Sequence, residues 1–259
     1  MIDMPKLTGI RLVLVILGVA LLPGLASAAA AIATRPAVAE KREPDDQRIA
    51  LSRQIADRYG LTLADRTAVW TLDEVISVKA ALDQIADRLA GIANRDVHQI
   101  LKGLLENTAL YRDRACNDNI AYTISGTVSV YDEWAEYDEA GRAFYLAHEL
   151  GHVLDAHGSP LHLIVGEVSS VFAHNVGAYV DDDGVYHLGR YFPLQRTPDR
   201  YRHRSDSAAE DWAESFATVV VPEFEAEWRN IGALRISEVR RIVGLWITQA
   251  SAEIRARSH

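Results

Sequence analysis

Two things are scarce in this 259-residue chain: cysteine, of which Cys116 is the single example, and positive charge, with 27 basic against 36 acidic side chains for a formal charge of -9. One thiol closes neither an intramolecular disulfide nor a cysteine cage around a metal, so any metal site must be built from histidine and carboxylate ligands. The acidic balance argues against a nucleic-acid partner, because neutralising phosphates needs a basic face. There are no internal repeats, and no low-complexity tract beyond a short alanine run. What the chain does contain is 49% apolar, 8% aromatic and 24% charged residues, the make-up of a globular protein long enough to bury a core.

Lys6 and Arg11 precede an uncharged run, residues 12–22, which Pro23 and Gly24 interrupt before Leu25-Ala26-Ser27-Ala28. That order is the pattern of a secretory signal peptide with cleavage after Ala28. The competing reading is a retained membrane anchor, since no charge occurs until after Thr34, although the second half of the segment is mostly alanine around the Pro-Gly break. No cysteine follows the apolar run, so a lipoprotein is not expected. Cleavage removes Lys6, Arg11 and Asp3 and takes the charge from -9 to -10. The expected location is secreted or periplasmic, with membrane contact only if the segment stays as an anchor; no pattern specifies an oligomeric state. In an oxidising compartment Cys116 reads as a small buried hydrophobe.

After a flexible lead over residues 29–46, helical periodicity runs through 46–59, 72–89 and 95–107, with Gly60 and Gly91 as stops, and defines a helical N-terminal region over 47–110. On the second of these stretches Val75, Val78, Leu82, Ile85 and Leu89 form the apolar stripe. A second region, 111–259, opens with β-rich residues at 119–131 that read as one bulged strand or a short hairpin through Ser125-Gly126. Further helices are expected over 139–156, 163–176, 208–221 and 237–255, a hairpin with an Asp-Gly turn over 179–186, and a long aromatic and basic loop over 190–204. The acidic run 181–183 lacks the remaining ligands of a calcium loop and reads as a solvated turn. The expected fold class is α+β, mainly helical with a small mixed sheet.

His148-Glu149-Leu150-Gly151-His152 lies within the central helical stretch. Side chains four residues apart share one helix face, so both imidazoles reach a single zinc ion at about 2.0–2.1 Å. Glu149 follows the first of them and sits beside the metal, placed to take a proton from water and pass it to a leaving amine. By composition alone such a pattern arises in roughly one comparable sequence in a hundred. Its setting argues against accident: Phe144, Tyr145, Leu146 and Ala147 precede it and Val153 and Leu154 follow, and a His-Glu-His set in an apolar helix is unfavourable to bury without a partner. Two histidines leave the site incomplete. Residues 209–217 put Glu210 and Glu214 four apart on one helical face, and either carboxylate can complete it.

These two segments together resemble the gluzincin metallopeptidases, in which HExxH is completed by a glutamate on a later helix as E-x-x-x-D or E-x-x-A-E. They look most like the anthrax lethal factor catalytic domain and the related Pro-Pro endopeptidases. The resemblance covers residues 115–221 and is specific for a zincin rather than for a substrate; residues 29–110 carry none. It implies a zincin-like fold with an edge strand bordering the active-site helix, and Glu210 as the third ligand of one Zn2+. Glu214 would accept a hydrogen bond from a ligating histidine and fix its tautomer. In that group a tyrosine or histidine ahead of the ligand glutamate helps stabilise the oxyanion. Here Tyr201 has the closer residue type and His203 the closer spacing. The zincin pattern HExxHxxGxxH is not met, because Asp155 stands at its glycine and Gly158 at its last histidine. His157 falls one residue short and reads as a helix C-terminal residue facing the dipole. His162, His174 and His187 have no metal spacing.

The implied activity is that of an exported zinc-dependent metalloendopeptidase with Glu149 as general base and a peptide or protein as substrate. An extended substrate would add antiparallel to the strand at 127–131, and the aromatic and basic residues of 191–204 would favour acidic or apolar side chains. Two readings from other classes stand beside it. One is a zinc-stabilised, non-catalytic binding module of the cell envelope, against which the presence of Glu149 argues. The other is a tethered interaction protein whose N-terminal helices hold an envelope partner, in which replacing Glu149 leaves function intact.

Overall fold

In the structure, a computed structural model, the described residues are 42–114, 120–124, 126–156, 168–188, 207–227 and 232–257, all within one unit of the chain, residues 39–259. Cys116, the N-terminal segment to residue 41, His157, His162, Tyr201 and His203 lie outside them. The first helix, α1 (Arg42–Tyr59), begins inside the stretch expected to be a flexible lead. It stops where the sequence places its stop: Gly60 adopts φ +73° and donates its N–H back to the Ala56 carbonyl, a left-handed closure that suits glycine.

Strand β1 (Thr62–Asp65) follows, and then α2 (Leu72–Ala93). Thr71 and Glu74 form a reciprocal cap at the start of α2, the Glu74 N–H donating to Thr71 Oγ1 at 3.2 Å and the Thr71 N–H to Glu74 Oε2 at 2.8 Å. The apolar stripe from Val75 to Leu89 is buried as expected. Gly91, however, does not end the helix. Ile92 and Ala93 still pack against the core, and Asn94 closes the helix in the left-handed conformation with its N–H on the Ala90 carbonyl. Helix α3 (His98–Leu105) is shorter than its periodicity suggests; Asp96 accepts from the His98 N–H and fixes the start, and Asn107, at φ +73°, lies beyond the end.

Strands β2 (Ala109–Arg112), β3 (Ala121–Ile124) and β4 (Thr127–Val130) complete a four-stranded mixed sheet in the order β1-β2-β4-β3, parallel except for the antiparallel pair β3–β4. The β-rich stretch is therefore a hairpin, turning through Gly126 at φ +76°. This corrects the expected edge. β4, at the 127–131 position, is an inner strand between β2 and β3, and among the described residues the edges of the sheet are β1 and β3, because the glycine turn folds β3 back along the side of β4 that would otherwise be open. β1 and β2 were not foreseen, and they join the N-terminal helical region to the later one through a shared sheet.

The short α4 (Asp132–Glu136) leads into α5 (Glu139–Ala156), then α6 (Val168–Val176), the hairpin β5 (Tyr179–Val180) and β6 (Tyr186–His187), α7 (Ala208–Val220), a 3-10 turn (Pro222–Glu227) and α8 (Ala233–Arg257). Asp181 closes the β5–β6 turn by accepting from the Asp183 and Val185 N–H groups, and its other oxygen pairs with His187 Nε2 at 2.6 Å. That carboxylate is committed to the turn, as the solvated-turn reading expects, and His174 is on the surface. The molecule is thus mainly helical α+β with a small mixed sheet and a separate two-stranded hairpin. One apolar cluster containing Trp70, Trp134, Phe172, Trp212 and Phe216 runs between sheet and helices. Two buried arginines cross it with their acids. Arg112 meets Glu74 at 3.0 Å and Asp132 at 2.9 Å; Arg235 meets Asp211 at 2.7 and 2.8 Å. Among the described residues no helix is long and apolar enough to cross a membrane.

Candidate metal centre

The HExxH helix, α5, spans the residues its periodicity predicts, and its buried face carries Ala143, Leu146, Ala147, Leu150, Gly151, Val153 and Leu154. Opposite it runs α7, whose start is fixed by Ser207 accepting the Glu210 N–H at 3.2 Å, the usual serine cap. Glu210 consequently lies in the first turn of α7. Two contacts lock the helices together. Trp212 Nε1 donates to the Gly151 carbonyl at 2.9 Å, and Gly151 and Ala213 bring the backbones so close that a Cβ on Gly151 would stand 2.9 Å from Ala213 Cα. The residues inside each motif, and not only the ligands, set the spacing.

That spacing brings His148, His152 and Glu210 together. The two Nε2 atoms lie 3.1 Å apart, and the Glu210 carboxylate bridges them, its Oε2 3.2 Å from His148 Nε2 and its Oε1 3.2 Å from His152 Nε2. Donors around a tetrahedral ion with bonds of about 2.0–2.1 Å lie about 3.3–3.4 Å from one another, so the imidazole pair already has nearly the separation a single ion requires, and one ligand atom from each of the three residues lies within 4.8 Å of the others. Glu214, one turn further along α7, has Oε2 at 3.3 Å from His148 Nδ1. By accepting that proton it leaves Nε2 free to ligate.

The charges fit a cation as well. Burial opposes protonation of His148, but the contacts with Glu210 and Glu214, aided by the nearby Glu149, outweigh it and push its pKa up to about 10. Burial likewise favours a neutral Glu210, yet hydrogen bonds from His148 and His152 overcome this and hold the carboxyl well below its ordinary range. Three carboxylates around two imidazoles thus draw in positive charge, and a divalent ion supplies it without protonating a ligand. Two imidazoles and one carboxylate are one of the ligand sets that hold a divalent ion with a position left open, catalytic zinc among them, whereas structural zinc sites use four protein ligands.

Glu149 points from the same helix into the cleft and is buried, which raises its pKa above that of an exposed carboxyl, against the opposing pull of His148 and of a hydrogen bond from Thr123. Thr123 Oγ1 donates to Glu149 Oε2 at 2.5 Å. The cleft has a volume of about 590 Å³ and is walled by Ala121, Tyr122 and Thr123 of β3, the C-terminal half of α5, and Ala209 and Glu210 of α7. A larger cavity of about 870 Å³ between α2 and α8 is lined by Arg88, Arg240 and Arg241. His148, Glu149, His152 and Glu210 all line the smaller one.

Five of the seven sequence-derived site residues, His148, Glu149, His152, Glu210 and Glu214, therefore meet in one place, and Tyr201 and His203 fall outside the described residues. Thr123 and Gly151 carry no role in the sequence reading, and Trp212 and Ala213 only that of packing residues. The last three stood inside the quoted motifs, where their small or indole side chains were a usable signal. Thr123 lies 26 positions from Glu149, and only the fold joins them. No family model matches the chain, and no curated protein matches its sequence.

Proposed function

We propose that this chain is a zinc-dependent endopeptidase of the gluzincin type, exported and acting on peptides or proteins. The observation that carries the reading is the grouping of His148, His152 and Glu210, with the two Nε2 atoms 3.1 Å apart and each 3.2 Å from a different oxygen of the Glu210 carboxylate, next to the buried carboxylate of Glu149 in a cleft bordered by a strand edge that no described residue pairs with. A zinc ion held by those three groups would acidify water and polarise a carbonyl at neutral pH. Glu149 accepts the proton of a water molecule in the cleft as the water attacks, and returns it to the departing amine, a task favoured by a carboxyl whose pKa is raised toward neutrality. Glu214 keeps the His148 ring in the orientation that exposes Nε2. β3 offers an unpaired main-chain edge to which an extended peptide can add as a further strand. Tyr201 or His203 is proposed as the donor to the developing oxyanion.

The test is cleavage of a random peptide library, read by mass spectrometry, by protein beginning after Ala28 and by its Glu149→Gln variant. Cutting by the parent alone, abolished by a chelator and restored by zinc, is the expected result. If both proteins bind one zinc and neither cuts, the peptidase reading is reduced to a latent or narrow-specificity enzyme and the non-catalytic binding module moves ahead of it.

A further inference from the structure

Three polar side chains that line the cleft are neither candidate metal ligands nor acid–base groups, those of Tyr122, Thr123 and Asp155, and of these Thr123 is the one that hydrogen-bonds Glu149. The ladder between β3 and β4 shows what its main chain does. The Tyr131 N–H donates to the Ile120 carbonyl at 3.0 Å, in continuation of the register that pairs Ala121 with Val130 and Thr123 with Val128. Hydrogen-bonded and non-hydrogen-bonded pairs alternate along an antiparallel ladder. With 120/131 bonded, 122/129 and 124/127 are bonded too, and the N–H and C=O groups of Ala121 and Thr123 point away from β4 to the free edge. The side chains alternate with them: Tyr122 and Ile124 are largely exposed, whereas Thr123 turns toward α5. There its hydroxyl makes the one hydrogen bond that the Glu149 carboxylate receives among the described residues. A glutamate side chain has three torsions to fix, and a buried carboxylate without a donor is poorly placed and poorly solvated.

We propose that Thr123 is a positioning residue for Glu149: its hydroxyl holds the carboxylate, while its main-chain N–H and C=O on the β3 edge pair with an extended peptide. One residue then links the register of the bound chain to the orientation of the base. This role rests on the peptidase reading.

The test compares Thr123→Val, which keeps the branched shape without the hydroxyl, with Thr123→Ser, which keeps the hydroxyl, both in the full chain after Ala28. Thr123→Val is expected to bind one zinc with unchanged affinity and to lose about 10–100-fold in kcat, part of the 10²–10⁴ that a general base contributes, with KM within about threefold. Thr123→Ser is expected to recover most of kcat. In metal-free protein, Thr123→Val and Glu149→Met are expected to shift the denaturation midpoint non-additively, as touching residues do. Unchanged kcat in Thr123→Val, an equal loss in Thr123→Ser, or a loss residing in KM or zinc content overturns the proposal, and so does additivity in the cycle. A parent that cuts no peptide in a Glu149-dependent manner overturns the peptidase reading itself, and the cycle then still reports whether the hydroxyl holds the carboxylate.

Discussion

Replacing Gly151 by alanine sets two effects of opposite sign against each other. Glycine inside a helix is worse than alanine by about 0.5–1 kcal/mol, so propensity alone makes Gly151→Ala stabilising. The added methyl, however, would meet Ala213 Cα at 2.9 Å, Ala213 Cβ at 3.3 Å and the Ala213 carbonyl oxygen at 3.5 Å. Carbon atoms in contact prefer about 3.5–4.0 Å, and the nearest atom is backbone, which cannot rotate aside. Helices α5 and α7 must part by roughly half an ångström or more, an overpacking that costs about 1–3 kcal/mol. The contact wins, and metal-free protein is expected to lose about 1–2 kcal/mol, or roughly 2–8 °C in Tm for a chain of this size. Glu210 sits three residues before Ala213 on the displaced helix, so the 3.2 Å separations lengthen and zinc affinity falls by about 10–100-fold, the usual penalty for a disturbed ligand support. Thermal denaturation of the metal-free protein and competition against a chromogenic chelator read the two quantities separately. Adding Ala213→Gly removes the 3.3 Å contact and leaves the 2.9 Å one, so it should restore only part of either loss. A higher Tm with undiminished zinc affinity would refute the claim that this crossing sets the geometry of the site.

Glu214→Gln should keep one zinc per chain but weaken it by about 10–100-fold in the same competition, because the amide orients His148 less well than the carboxylate; unchanged affinity would remove Glu214 from the centre. Asp211→Asn removes the charge that meets the Arg235 guanidinium, which is 1% exposed and also donates to the Leu188 carbonyl, and should cost about 3–5 kcal/mol in urea denaturation, as breaking one half of a buried pair does. For acid stability, Asp113 is informative: hydrogen bonds from Arg66 and Thr67 hold its carboxyl below the ordinary value against the effect of its burial. A depressed folded-state pKa adds stability that is complete above the unfolded value, about 3.9, and is lost as the pH falls through the folded one. Asp113→Asn should therefore lower the urea midpoint at pH 7 and flatten its decline between about pH 4 and 2; an equally steep decline in the variant would assign acid lability elsewhere.

The helices were legible because each buries one stripe, and a stripe has a period. On α2 the five stripe residues are spaced by three and four, and all are buried. The errors there were at the ends, where one residue's capping chemistry decides: Gly91 was read as a stop, but Asn94 offers a left-handed close after two more residues have found core contacts. β1 and β2 were illegible for a different reason. Four residues, Thr62-Leu63-Ala64-Asp65 or Ala109-Leu110-Tyr111-Arg112, are too few to show an alternation. In β2 the inward position after Leu110 is Arg112, a charge that reads as surface until Glu74 and Asp132 are known to meet it.

The metal centre divides along the same line. His148 and His152 share a helix face by local geometry, as do Glu210 and Glu214, so each pair could be read from spacing alone. Joining the pairs is a long-range matter, and the chain carries its specification in residues that do no chemistry: Gly151 and Ala213 permit the approach, and Trp212 pins it through the Gly151 carbonyl. The edge strand was misplaced because sequence order puts 127–131 next to α5, while sheet order depends on which side of β4 the hairpin folds onto. That choice puts Thr123 rather than a residue of β4 against Glu149. Had the hairpin been absent and β4 the edge, the inward position nearest the cleft would have been Val128, the register partner of Thr123, which has no hydroxyl to offer the carboxylate. The side of β4 onto which the hairpin folds thus determines whether the Glu149 carboxylate meets a hydroxyl, and this is why the Thr123 variants, more than any change to the motif itself, test the proposed link between this fold and a general base.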